Sequence, residues 1–286
     1  MPPTARGGRR DESAASVSDP LRKRIGTAAL LIALLLIVLL ALPAAATVVV
    51  LSLVVLLGAW EWSAFLRPRG RWPRVGYVLA VALLMGLAWC VTAGRDGLRL
   101  VLGGALLWWL AALGWIVFAP QRVRPWSAGL AGVCALVPAW IGLVRLRLHP
   151  GQGADWVLFA LLLVWAADIG AYFVGRRFGR RRLAPHVSPG KTWEGVLGGA
   201  LASVPVAIAG SVRFRLPPGA FLGLCLMTVG FSVVGDLTES LLKRFAGVKD
   251  SGTLFPGHGG VMDRIDSLTG AAPVLILGLT FLGVLP

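Results

Sequence analysis

Apolar runs of membrane length dominate this chain, and short polar stretches separate them. A span needs about 20 apolar residues. That length predicts helices near 25–42, 46–65, 75–93, 99–118, 127–144, 155–175, 195–212, 218–242 and 269–286, about nine in all. Pro43 and a run of alanines join the first two, which predicts a helical hairpin. Residues 1–24, MPPTARGGRRDESAASVSDPLRKR, break the pattern and read as a disordered cytoplasmic tail. The apolar run after them is too long, and too poorly followed by a cleavage site, for a removed signal peptide. The expected fold class is therefore all-α, a polytopic integral membrane protein. It divides into the tail, an N-terminal transmembrane scaffold over 25–150 and a C-terminal transmembrane catalytic region over 151–286.

Composition agrees. Hydrophobic residues make up 57% of the chain and charged ones only 14%, against roughly 25% in soluble domains. The net charge of +15 comes almost entirely from Arg. Its location excludes nucleic-acid binding, because the bases sit in short loops between apolar runs and no soluble basic module carries them. Arg22, Lys23 and Arg24 lie in the tail. Arg67, Arg69, Arg71 and Arg74 follow the second run, Arg122 and Arg124 the fourth, and Arg176, Arg177, Arg180, Arg181, Arg182 and Lys191 the sixth. With nine spans all of these fall on one side, and the positive-inside bias makes that side cytoplasmic. The opposite loops hold only the pairs Arg95/Arg99, Arg145/Arg147 and Arg213/Arg215. Cys90, Cys134 and Cys225 lie inside apolar runs at no zinc or redox spacing and read as small buried hydrophobes.

The acids are uneven. Of thirteen, Asp155, Asp168, Glu194, Asp236, Glu239, Asp250, Asp263 and Asp266 fall in the second half. In the first half, Glu61 between Trp60 and Trp62 reads as an interfacial anchor. The densest polar stretch is Ser240–Asp266, a cytoplasmic connector between two apolar runs. Just before and within it, Asp236, Glu239, Ser240 and Lys243 recur at i, i+3, i+4 and i+7, one stripe of a helix. Asp263 and Asp266 stand at the start of the last helix, where acids are also ordinary capping residues. Upstream of them, His258, Gly259 and Gly260 supply a turn that lets backbone approach a ligand. Carboxylates without sulfur or a histidine cluster suit Mg²⁺, and Lys243, Arg244, Lys249 and Arg264 suit polyphosphate. His258 reads either as a phosphate contact or as a cap of its turn. A third cluster joins Asp168, deep in the sixth run, to Lys191 in SPGKT. That fragment is no P-loop, since position 185 is proline and no strand is expected before it.

These residues carry a family resemblance. The pattern Ser240-x-Leu242-Lys243-Arg244, four residues, Lys249-Asp250, then Phe255-Pro256-x-His258-Gly259-Gly260-Val261-x-Asp263-Arg264-Ile265-Asp266 resembles, without departure, the signature of the phosphatidate cytidylyltransferases, or CDP-diacylglycerol synthases. Asp168-x-x-Ala171-Tyr172 and Ser188-Pro189-x-Lys191-Thr192-x-Glu194-Gly195 are similar to a second recurrent block of that family. The resemblance covers roughly residues 155–286. It implies transfer of the cytidylyl group of CTP to phosphatidate at the cytoplasmic face of a bacterial plasma membrane. It also implies Mg²⁺, with a second, monovalent cation left open, and allows a homodimer. Asp236 and Asp263 match the metal-binding carboxylates. Asp236, Asp263, Asp266, Lys249 and Asp250 are then the expected catalytic residues. Lys191, Ser240, Lys243, Arg244, His258, Arg264 and Asp168 are the expected substrate and phosphate contacts. Two rivals fit less well: a CDP-alcohol phosphotransferase needs a D-G-x-x-A-R block missing here, and a transporter leaves the connector unexplained.

Overall fold

The computed structural model describes residue 26, residues 29–252, residue 254 and residues 259–285. The tail expected at 1–24 and the expected contact His258 lie outside these described residues. The fold is all-α, as the apolar runs predict. Helix α1 covers Ala29–Ala41 and ends in a π turn at Ile37–Ala41. It is followed by α2 (Ala44–Trp62), α3 (Trp72–Val91), α4 (Arg95–Phe118), α5 (Pro125–Arg147) and α6 (Gly153–Phe178). A hairpin of β1 (Arg182–Ala184) and β2 (Ser188–Thr192) then leads into α7 (Trp193–Phe214), α8 (Pro218–Ala246) and α9 (Met262–Phe281). Among the described residues, α2 to α9 are the eight helices long and apolar enough to cross a membrane, and α1 is apolar but short at its described length. The α1–α2 hairpin forms as expected: Pro43 caps α2, and the Thr47 hydroxyl donates to the Val38 carbonyl at 2.9 Å, within the π turn.

Two boundaries differ from the sequence reading. Helix α9 begins at Met262, not 269, so Asp263 and Asp266 lie inside its first turns and the connector shrinks to 247–261. The sequence reading set both acids at the entry to this helix but began its apolar span only at 269, because protein partners rather than lipid surround those first turns. The second difference is the hairpin. Ser188–Thr192 is itself a strand that runs directly into α7, so Lys191, outside any P-loop as expected, rides on a strand that the sequence reading did not expect.

Small residues set the helix spacing. On α6, Gly170 abuts Gly198 and Ala202 of α7, and Gly175 abuts Gly195. On α8, a Cβ at Gly235 would lie 2.6 Å from the Asp266 carbonyl, and on α9 Gly270 abuts the Phe231 carbonyl. Helices in lipid gain packing by such backbone contact, having no hydrophobic drive toward each other. Gly235 immediately precedes Asp236, so this seam brings the acids of α8 and α9 together. At the other membrane face, Trp156 stacks on Phe214 at 3.5 Å with Phe159 and Phe221 edge-on, tying together the ends of α6, α7 and α8.

Contacts between distant loops fix which ones share a face. The Arg67 guanidinium donates to the Phe245 carbonyl, so the loop after α2 and the end of α8 share a face. Arg147 donates to Leu42 at 3.0 Å and Arg145 to the Thr92 hydroxyl at 3.1 Å on the other face. With the spans alternating from there, the loops 67–71, 119–124 and 179–192 and the described connector residues 247–252 thus share one face, as the charge pattern predicts.

Candidate functional site

A cleft of about 600 Å³ opens between α6, α7 and α8. Asp168 and Tyr172 of α6 line it, with Arg176, Arg182, Lys191 from the hairpin and Asp236 of α8. The hairpin is held by Glu194, whose carboxylate accepts from the Arg180 amide at 3.0 Å and the Arg181 amide at 3.1 Å. Thr192 caps α7 by accepting from the Gly195 amide at 3.1 Å. Those contacts deliver Lys191 across the cleft, where its ammonium pairs with the Asp236 carboxylate. The Ser240 hydroxyl donates to Asp236 at 3.4 Å, and the Ser267 hydroxyl donates to Asp168 at 3.4 Å. Three bases against two acids leave the cleft with a positive balance suited to a polyphosphate.

A second cluster adjoins it at the end of α8. Lys243 donates to Asp263 at 2.8 Å and pairs with Glu239 at 3.3 Å. Asp263 also accepts from the Ser251 amide at 3.1 Å, the Ser251 hydroxyl at 3.0 Å and the Gly260 amide at 2.8 Å. Asp266 connects the clusters, because it lies in electrostatic reach of both Asp236 and Glu239. The predicted stripe therefore forms: Asp236 lines the cleft with Ser240 hydrogen-bonded to it, and Glu239 and Lys243 face the start of α9.

The sequence-derived residues divide accordingly. Asp168, Lys191, Asp236 and Ser240 come together at the cleft, and Lys243, Asp263 and Asp266 at the end of α8. Arg244, Lys249, Asp250 and Arg264 are exposed on or beside the connector. The two aspartates expected to share a metal are held by different lysines, Asp236 by Lys191 and Asp263 by Lys243. Among the described residues no three His, Cys, Asp or Glu side chains gather as around a metal. The donor chemistry nevertheless fits Mg²⁺, which takes one or two carboxylates and completes its shell with water and substrate phosphate. Both carboxylate oxygens of Glu239 are buried, with the Lys243 ammonium and the Asp266 carboxyl group beside them, so carboxylate oxygen is in excess at this place.

Sequence reading placed Glu61 wrongly. It is no interfacial anchor: it is buried, and its carboxylate accepts from the Ser251 hydroxyl, the Val261 amide and the Met262 amide. Trp62 is buried too, donating to the Ala128 carbonyl at 2.8 Å. Trp60 alone stays partly exposed, under the Arg74 guanidinium. A lone carboxylate in an apolar helix was the available signal, since such groups are functional or partnered by default. Arg176 and Arg182 were also missed as cleft residues, their charge having been assigned to orientation alone, and Tyr172 was read only as part of the second recurrent block.

The comparisons with known proteins bear on the same residues. The cytidylyltransferase family matches residues 22–282. The phosphatidate cytidylyltransferase of Pseudomonas aeruginosa is 42% identical over 262 residues, which cover 89% of this chain and 95% of that protein. The protein of the same name from Haemophilus influenzae is 40% identical, covering 88% of this chain and 96% of its own length. That from Brucella suis is 40% identical across 69% of this chain. With cleft, connector and scaffold all inside the matched region, the chain belongs to the cytidylyltransferase family.

Proposed function

We propose that this protein transfers the cytidylyl group of CTP to phosphatidate, giving CDP-diacylglycerol and pyrophosphate, at the cleft between α6, α7 and α8. The observation that carries the reading is the meeting of Lys191, Asp236 and Asp168, from three separate elements, in one membrane-embedded cleft beside the connector. A phosphate oxygen of phosphatidate attacks the α-phosphorus of CTP. The bond from that phosphorus to the bridging oxygen breaks, and pyrophosphate leaves with the electron pair. The nucleophile is already anionic, so the chain has positioning and charge neutralisation to supply rather than proton removal.

Lys191 exchanges Asp236 for a phosphate oxygen when the triphosphate binds, and Arg176 and Arg182 add charge at the cleft mouth. Arg244, Lys249 and Arg264 lie on the same face as the leaving pyrophosphate. Asp236 and Asp263, with Asp266 and Glu239 beside them, are the carboxylates that would hold Mg²⁺, and any second, monovalent cation would draw on the same acidic group. Bound there, Mg²⁺ would offset the triphosphate charge. The tails of phosphatidate stay in the bilayer against α6 and α7, whose outer faces carry the exposed Ile169, Phe173, Leu197 and Leu201.

The reading extends to the cytoplasmic face of a bacterial inner membrane as the location of the cleft, and to a homodimer. The experiment is incorporation of radiolabelled CTP into extractable lipid by purified protein with phosphatidate. Label should appear with Mg²⁺, vanish with chelator, and return on adding metal. Absence of label under all three conditions overturns the reading. The mass of the detergent-solubilised protein tests the dimer.

A further inference from the structure

Glu61 is the single charged residue of α2, and the residue is only 8% exposed. No Lys, Arg or His pairs with it among the described residues. A buried carboxylate without a cation is costly unless hydrogen bonds replace its water. Here they do: Val261 N–H donates at 3.0 Å, Met262 N–H at 2.9 Å and the Ser251 hydroxyl at 3.1 Å. The two amides open α9, a helix whose own N-cap residue, Val261, supplies no side-chain cap. The orphan donors of a helix start and its positive dipole end both favour an anion. Glu61 provides that anion from 200 residues away.

The fit is close. A Cβ at Gly252 or Gly260 would collide with the Glu61 carboxylate, so the connector backbone lies directly on it. From the other side, Asp263 takes the Gly260 and Ser251 amides. The Ser251 hydroxyl stands between the two acids, 3.1 Å from Glu61 and 3.0 Å from Asp263, and its single proton serves one at a time. Two carboxylates, one from each half of the chain, thus clasp the connector, and the remaining oxygen of Asp263 faces Lys243 at 2.8 Å.

We propose that Glu61 is a positioning residue of the active site: it fixes the first turn of α9 and so aims Asp263 at Lys243. It touches no substrate. The role rests on the reading that Asp263 belongs to a cytidylyl-transfer site, and it makes the N-terminal scaffold part of that site's geometry.

The test combines kinetics with amide hydrogen exchange on the purified full chain. Glu61→Ala should lower kcat/KM for CTP about a hundredfold, part of it in KM, as a misplaced reacting group does. Exchange should speed up in peptides spanning 251–263 and stay unchanged in α5 and α6. Glu61→Gln keeps one acceptor but turns an amide group toward a donor, so it should fall between wild type and Glu61→Ala. It also carries the test should the alanine variant fail to fold. Ser251→Ala, which leaves the α9 amides capped, should cost about tenfold. Wild-type constants in both Glu61 variants overturn the proposal. So does an activity loss at unchanged KM with exchange raised throughout the molecule, the mark of a merely structural residue. A wild-type protein that incorporates no label would sink the functional reading instead, and the exchange arms would still decide whether Glu61 holds the connector.

Discussion

At the scale of single residues, the two lysines of the site differ in what they hold, and that difference is measurable. Lys191 faces the cleft and pairs with Asp236; its removal leaves Asp236 beside Asp168 and Asp266 without its paired ammonium. Lys191→Ala should therefore raise KM for CTP and lower kcat/KM by about a hundredfold or more, the usual cost of one preorganised charge-stabilising donor. Lys191→Arg should restore little of it, because a planar fork does not replace a point charge on a β-strand. Lys243 instead neutralises Asp263 and Glu239 within the protein. Asp263→Asn keeps the shape but removes the charge opposite Lys243 and puts an amide against the Ser251 and Gly260 donors. CTP-dependent product should disappear while the variant still accumulates in the membrane fraction. Full activity in that variant would remove Asp263 from the site.

At the scale of elements, the glycine seam between α8 and α9 decides whether the acids meet at all. Gly270 sits against the Phe231 carbonyl and the Gly235 amide, with no space for a side chain. Overpacking a tight contact costs about 1–3 kcal/mol, and here the strain is relieved only by moving the helices apart. Gly270→Leu should lower the thermal midpoint of the purified protein and lower activity more than stability, because Asp266 would withdraw from Asp236. The same substitution at Gly230, where a Cβ meets nothing, is the control and should change neither. This is also where sequence reading reached its limit. Spans are readable because lipid demands a run of apolar residues, and the stripe Asp236–Lys243 is readable because helical spacing is local. The start of α9 is readable only in part: Asp263 and Asp266 mark a helix entry, but their charge keeps them out of the apolar span, and only partners from α2, α8 and the connector make those turns tolerable. Glu61 was misread for the same reason, its ligands being 190 to 201 residues distant. The β-hairpin escaped because five residues of mixed polarity show no period.

At the scale of the whole molecule, charge and contact give one topology by independent routes. Arg67 reaches the end of α8, which puts the loop rich in Arg67, Arg69 and Arg71 on the same face as the connector. The opposite face holds the Leu42–Arg147 contact and the turn at 148–152. If the positive-inside bias operates, the connector and cleft mouth face the cytoplasm, where CTP is made, and no nucleotide has to cross the membrane. The alternative orientation would present Arg122 and Arg124 outside and leave only the sparse bases at 95–99, 145–147 and 213–215 within. In a variant lacking Cys90, Cys134 and Cys225, single cysteines at Arg122 and at Gln152 separate the two. A membrane-impermeant maleimide added to intact spheroplasts should label the Gln152→Cys variant and spare Arg122→Cys, and inverted vesicles should reverse the result. Labelling of Arg122→Cys from outside would turn the molecule over, and the cleft would then have no access to its nucleotide.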